Sequence, residues 1–147
     1  MAHSPDAPLK VLAAGLPEDD HLLLSEVLRR MGGTLHWVQN RASVIRLLSA
    51  HLVSIVIADR DLRDGGWKAL LNQLARMNRP PKLIVTSLHA DYRLWAEVLH
   101  LGGFDVLSKP FHTVELDRSI RLAWRHWKEE RSKLEQDIQL LALTAVG

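Results

Sequence analysis

The stretch Val53–Asp59, VSIVIAD, is a short apolar run that ends in a carboxylate. Runs of this length, rich in Val and Ile and without regular alternation of apolar and polar residues, are typical of strands buried on both faces of a parallel sheet. The sequence therefore predicts a buried strand over Val53–Ala58, with Asp59 at its carboxyl end. Comparable runs predict four more strands, over Leu9–Ala14, Thr34–Val38, Lys82–Ser87 and Phe104–Ser108.

Helical patterns separate these five runs. Leu24 and Leu28 share one face of a first helix, and Asn40 and Asp91 stand where each can cap a later helix. Strands that alternate with helices pair in parallel through right-handed crossovers, so helices should cover both faces of one sheet. The predicted fold class is α/β, a doubly wound five-stranded parallel sheet with an extended C-terminal helix.

The composition suits a single globular domain. The chain has 147 residues, of which 47% are hydrophobic and 24% charged, and its formal net charge is only +2. This near balance gives little reason to expect a nucleic acid partner, and no apolar run is long enough for a membrane span. The absence of cysteine excludes disulfides and thiolate metal sites. We expect a cytoplasmic protein with a flexible N-terminus (1–8), a domain (9–128) and a helical tail (129–147).

Chemically distinctive side chains follow three of the predicted strands. Asp59 follows the third strand, Ser87 ends the fourth and Lys109 follows the fifth, whereas Gly15 and Leu16 follow the first. In open α/β sheets, ligands bind at the carboxyl ends of the strands. We therefore expect a carboxylate, a hydroxyl and an ammonium group to meet at this edge.

The strongest motif lies around the last of these residues. Lys109-Pro110-Phe111 followed by Glu115-Leu116, together with Asp59–Gly65, resembles the receiver domain of bacterial response regulators, a CheY-like, flavodoxin-like family. The resemblance extends over roughly Leu9–Lys128, and Arg63 stands where the family usually has proline. It implies a (βα)5 receiver fold and two-component signal transduction rather than enzymatic turnover.

The resemblance also implies a role for each site residue. Asp59 would be the phosphoacceptor and Lys109 the cation that meets the phosphoryl group. Counting from Asp91 and Lys109 favours Ser87 as the switch hydroxyl, with Thr86 as the alternative if one loop differs by a residue. The bond before Pro110 would be cis and would aim Lys109 into the site.

Two departures from the family pattern concern the metal and the response to phosphorylation. Receivers place two or three acids directly after the first strand to hold Mg²⁺, and this chain has Gly15-Leu16-Pro17 there. With Asp59 nearly alone, Mg²⁺ should bind weakly or not at all. Glu18, Asp19 or Asp20 could reach back, and we name Glu18 or Asp19 as the metal ligands in that case. Val106 stands where many receivers carry an aromatic residue.

The tail carries apolar residues at a seven-residue spacing, at Trp127, Leu134 and Leu141, joined by Ile138. It could be a linker cut from a missing output domain or a helix that forms a homodimer or binds a partner. We slightly prefer an interaction helix, because these side chains need cover. An exposed Trp95 or Trp127 would likewise indicate an interface anchor.

Three functional hypotheses remain. The first is an atypical receiver with weak or absent Mg²⁺-dependent phosphorylation that signals through protein contacts with a histidine kinase or a downstream effector. The second is a conventional phosphorylated response regulator with Asp59 as phosphoacceptor. The third takes Asp59-Arg60-Asp61 as the Asp-x-Asp motif of haloacid-dehalogenase-like phosphatases, although two β-α units precede it and no further acidic motif follows Lys109.

Overall fold

The computed structural model describes residues 8–146. Strands and helices alternate along the chain, as predicted from the periodicity. The five strands are β1 (Lys10–Ala14), β2 (Thr34–Val38), β3 (Ile55–Asp59), β4 (Lys82–Ser87) and β5 (Asp105–Ser108). The five helices are α1 (Glu18–Arg30), α2 (Arg41–Ala50), α3 (Gly66–Leu74), α4 (Tyr92–Leu101) and α5 (Thr113–Val146). Of the predicted N-terminus, residues 1–7 lie outside the described range.

All strands pair in parallel in one sheet with the order β2-β1-β3-β4-β5. This is the flavodoxin-like order, in which the chain reverses direction across the sheet at β1 and β3. The prediction of a doubly wound five-stranded parallel sheet is therefore confirmed.

Local signals account for several helix boundaries. The Asn40 side chain accepts a hydrogen bond from the backbone N–H of Ser43 at 2.9 Å, and Asp91 caps α4 in the same way through Leu94 N–H at 2.9 Å. Gly102 ends α4 at a positive φ of 106°, where a side chain would be strained. These contacts satisfy helix-end groups that would otherwise lack partners.

Two apolar layers enclose the sheet. One layer joins the sheet to α2, α3 and α4, and the other joins it to α1 and α5. Alternate residues of each strand supply the two layers, so Val56 and Ala58 face α2 and α3 while Ile55 and Ile57 face α1 and α5. Asp59 follows Ile55 and Ile57 in this alternation, so its side chain lies on the side of the sheet that faces α1 and α5.

Helix α5 has 34 residues and is longer than a helix needs to be to cover this sheet. Its first part packs on the sheet, and Trp127 is buried to 2% exposure. Glu130 still pairs with Lys82 at the start of β4, and the next residue, Arg131, lies over the Trp127 ring at 5.4 Å. Contact with the domain thus continues about one turn past residue 128, where we placed the boundary.

None of the helices within residues 8–146 combines the length and the apolar character that a membrane span requires.

Candidate functional site

The carboxylate and the ammonium group of the predicted site lie in direct contact. Lys109 Nζ is 2.7 Å from Asp59 Oδ1, and the two side chains are only 13% and 19% exposed. Asp59 is the last residue of β3, and Lys109 directly follows β5. The parallel strand order brings these ends to one edge of the sheet, although fifty positions separate the residues in sequence.

The rest of the Asp59 carboxylate is held by local hydrogen bonds. Asp59 Oδ2 accepts the backbone N–H of Asp61 at 3.0 Å, inside the turn that leads to α3. Thr86 Oγ1 donates to Asp59 Oδ1 over a longer distance of 3.4 Å. The carboxylate is therefore oriented by its own loop, by the neighbouring strand and by Lys109.

The hydroxyl beside Asp59 belongs to Thr86 and not to Ser87, which counting favoured. Thr86 is the register partner of Asp59 across β3 and β4, so both side chains lie on the same face. Ser87 is one residue further and thus lies on the opposite face, where its Oγ accepts the backbone N–H of His89 at 3.1 Å. A count from Lys109 misses this because the face of a strand residue is set by its pairing register and not by its distance along the chain.

A third charged group, Asp20 of α1, also enters the pocket. Asp20 Oδ2 lies 3.8 Å from Lys109 Nζ and is buried without a hydrogen-bond partner. Burial raises the pKa of the Asp20 carboxyl above its ordinary value; Lys109 opposes this shift, and the Asp19 and Asp59 carboxylates add to it. Lys109 is therefore the cation beside both carboxylates, but it compensates the negative charge of Asp20 less well than that of Asp59.

Glu18 and Asp19, the acids named from the sequence as metal ligands, do not join this cluster. Both are exposed, and within residues 8–146 Lys109 forms ion pairs with Asp59 and Asp20. The helical repeat explains the choice, because Asp20 is four residues before the fully buried Leu24 and so lies on the inner side of α1. The same i,i+4 spacing is readable in the sequence and could have singled out Asp20.

The corner after β1, where receivers carry their acids, is closed by apolar side chains. Leu16 is 1% exposed and packs in the layer between the sheet, α1 and α5. A Cβ atom at Gly15 would meet Leu62 Cδ1 at 2.9 Å, and Gly15 itself has a positive φ of 73°. The corner therefore offers no side-chain oxygen at Gly15 or Leu16.

Mg²⁺ requires oxygen ligands in near-octahedral geometry and is commonly held by one or two carboxylates. Here Asp59 and Asp20 are the carboxylates that face the pocket, and Lys109 already neutralises one of them. No cluster of three or more acidic, histidine or cysteine side chains that could hold a metal occurs in the described part of the chain. The residues present thus offer a divalent ion two carboxylates, those of Asp59 and Asp20.

The remaining site residues lie around this pocket. The Lys109–Pro110 peptide bond is cis. Val106 is half-buried and packs against the layer formed with α2, α3 and α4. The position that is often aromatic in receivers therefore carries an aliphatic side chain that already has its own packing.

Comparisons with known proteins agree with this geometry. The family model described as "Response regulator receiver domain" matches residues 18–121. The signal receiver domain of an HD domain-containing protein from Pseudomonas fluorescens Pf-5 is 23% identical, with a TM-score of 0.73, and the match covers 84% of this chain and 99% of that one. No curated protein matches at a significant level.

Two further solved structures extend the likeness. A CheY-like receiver domain protein from Methanospirillum hungatei JF-1 is 14% identical, with a TM-score of 0.72, and the match covers 84% of this chain and 99% of that one. The chemotaxis response regulator CheY4 of Vibrio cholerae is 15% identical, with a TM-score of 0.69 and coverage of 80% and 99%. These likenesses concern the fold, while the family model matches well over half of the sequence. This chain therefore belongs to the response regulator receiver domain family.

Proposed function

We propose that this protein is an atypical receiver of a two-component system, in which Mg²⁺-dependent phosphorylation is weak or absent and signalling runs through protein contacts. The observation that carries this proposal is the apolar corner after β1, where Leu16 is buried and Leu62 lies against Gly15. The chain keeps the carboxylate and the lysine of the family pattern but lacks its usual acid pair.

In this proposal Asp59 is the phosphoacceptor. A carboxylate oxygen of Asp59 would attack the phosphorus of acetyl phosphate or of a kinase phosphohistidine, and the bond from phosphorus to acetate or to the imidazole would break as that group leaves with the electron pair. The phosphoryl group carries about 1.5 to 2 negative charges and replaces the single charge of the carboxylate, so negative charge beside Lys109 increases by about 0.5 to 1. Lys109, whose Nζ lies 2.7 Å from Asp59 Oδ1, is the cation that would lie beside the phosphoryl oxygens. A bound divalent ion would neutralise phosphoryl oxygens, and Asp59 and Asp20 are the residues that would hold it.

Incubation with acetyl phosphate and Mg²⁺, followed by intact mass measurement, tests this proposal. We expect slow, substoichiometric labelling that disappears in Asp59→Asn, because few ligands hold the ion. Asp61→Asn is the matched control, since the Asp61 side chain is exposed while its backbone N–H bonds Asp59. Prompt stoichiometric labelling of Asp59 would contradict the atypical interpretation.

A conventional, metal-dependent receiver is the second candidate, and the position of Asp20 supports it. Asp20 is the acid that α1 delivers to Lys109, in place of Glu18 or Asp19. If Asp20 restores the metal site, Asp20→Asn should abolish Mg²⁺-dependent labelling, whereas the exposed Asp19→Asn should not. Equal labelling by both variants would leave this candidate without support.

Thr86 is our choice for the switch hydroxyl, since it shares a face with Asp59 and contacts its carboxylate. Thr86→Val removes the hydroxyl with little change of shape, and Ser87→Ala is the matched control. We expect Thr86→Val to change the rate of labelling or of dephosphorylation and Ser87→Ala to leave both rates near those of the parent. The opposite result would return the role to Ser87.

The protein partner would be a histidine kinase or a downstream effector, met in the cytoplasm. An exposed apolar surface on α4 supports contact with a protein: Tyr92 and Trp95 are 79% and 44% exposed, and Leu88 just before the helix is 71% exposed. Family membership favours this signalling role over the phosphatase hypothesis, and we propose no enzymatic turnover of a metabolite.

A further inference from the structure

The far end of α5 carries an apolar stripe that the described chain leaves uncovered. Leu134, Ile138 and Leu141 are 36%, 51% and 69% exposed, and their spacing of four and three residues places them on one side of the helix. Ala145 extends the same side by one turn. The stripe continues the series of the buried Trp127 and begins where contact with the domain ends.

Charge is distributed unevenly along this segment. Residues 128–137 include both acids and bases, whereas residues 138–146 contain no charged side chain. Arg131, which stands on the line of the stripe, is held within its own helix by Glu135 at 3.3 Å and by the Trp127 ring. The uncharged half of this segment can therefore lie against the charged half of another such segment without repulsion between like charges.

We propose that the stripe pairs with the same stripe of a second copy of this chain in an antiparallel arrangement. Ile138 of each copy faces Leu141 of the other, and Leu134 of each copy faces Ala145 of the other. This register forms four wholly apolar layers related by a twofold axis, which is the usual symmetry of a homodimer. It goes beyond the signalling role of the Asp59 pocket and does not depend on it.

Charge favours this orientation over a parallel pair. In a parallel pair Arg131 would face Arg131, and Glu130 would flank Glu135 of the second copy, so like charges would meet twice. In the antiparallel register the flanking positions place Glu135 beside Ala142 and Asp137 beside Thr144. Leu140 and Leu143 lie off the stripe, and pairing of the two stripes does not cover them.

The paired segment is short, so the dimer should form reversibly at high protein concentration. Residues 134–145 of each helix overlap over about 18 Å, at about 1.5 Å per residue. So short an overlap buries little surface, and interfaces that bury less than about 1,200 Å² are typically weak and transient. Sedimentation velocity over a concentration series should show a monomer–dimer equilibrium that Ile138→Glu abolishes while the circular dichroism of the domain persists. A parent chain that stays monomeric at every concentration would overturn the proposal.

Disulfide trapping tests the orientation, because the chain contains no cysteine of its own. In the antiparallel register residue 134 faces residue 145, whereas the two copies of residue 134 lie about 16 Å apart along the axis, at about 1.5 Å per residue. Mild oxidation of a mixture of Leu134→Cys and Ala145→Cys should therefore give the mixed dimer, identified by its mass. Leu134→Cys alone should cross-link no better than Ser132→Cys, which lies off the stripe and reports random collision. Efficient cross-linking of Leu134→Cys alone would establish a parallel pair and overturn the antiparallel register.

Discussion

Replacement of Lys109 by Met, which keeps the length of the side chain and removes its charge, should destabilise the domain markedly. Two unit charges 2.7 Å apart attract by about 6 kcal/mol at an effective dielectric constant of about 20, before the cost of their desolvation. Loss of one partner from a buried ion pair typically lowers the free energy of unfolding by about 3 to 5 kcal/mol. Because these two side chains are 13% and 19% exposed, we expect a loss of about 3 kcal/mol, at the lower end of that range. Asp59 and Asp20 would then lie in the pocket without a cation.

Urea unfolding followed by circular dichroism measures this loss at pH 7. For a chain of this length a loss of about 3 kcal/mol lowers Tm by about 6 to 12 °C. Lys109→Met/Asp59→Asn should lose less than Lys109→Met alone, since the double variant leaves one carboxylate fewer unpaired.

Lys68→Met is the matched control. Lys68 pairs with Glu97 at 3.0 Å, but the side chains are 55% and 43% exposed, and such surface pairs contribute about 0 to 1 kcal/mol. If Lys109→Met costs no more than Lys68→Met, the argument that Lys109 holds a buried charge cluster together is refuted.

Three further predictions concern stability. Trp127→Ala should cost about 3 to 5 kcal/mol in urea unfolding, because Trp127 is buried although it lies near the end of the domain. Burial, with the nearby His51 and Lys10, lowers the pKa of His36. As the pH falls, this imidazole therefore takes up a proton in the unfolded chain before it does so in the folded protein. The free energy of unfolding should therefore fall as the pH drops below about 6.5, and fall less in His36→Gln. Asp20→Asn should leave the protein as stable at pH 7 or make it more stable, because burial disfavours the charged form; a clear loss in urea unfolding would contradict this.

The alternation of strands and helices along the chain could be predicted because each local signal agrees with the overall fold. Short Val- and Ile-rich runs alternate with helical patterns, and Asn40 and Asp91 cap the helices that they precede. The ends of three strands moved by one or two residues: β1 begins at Lys10, β3 runs from Ile55 to Asp59, and β5 begins at Asp105. Boundaries of this kind depend on hydrogen bonds between strands, which sequence patterns do not contain.

The positions of Thr86 and Ser87 show what counting along the chain leaves out. Distances along the chain do not say how many residues a loop uses, whereas the face of a strand residue depends on its pairing register. Only the pairing of Asp59 with Thr86 decides which hydroxyl lies on the side of the carboxylate.

Asp20 was hidden for a different reason. The sequence shows three consecutive acids, and only the four-residue spacing from Asp20 to Leu24 indicates which of them enters the pocket. The first turn of α1 turns Asp20 inward and leaves Glu18 and Asp19 in solvent. The selection follows from the position at which the helix begins.

A single helix runs from the edge of the charged pocket to the apolar tail. It starts at Thr113, four residues after Lys109, and continues without a break to Val146, a length of about 50 Å at about 1.5 Å per residue. Such a rod converts a small rotation into a larger displacement. With its pivot near Trp127, a tilt of 5° would move the far end by about 2.5 Å, calculated from the same rise per residue. A given rotation of this helix would therefore displace the tail most and the residues that pack on the sheet least.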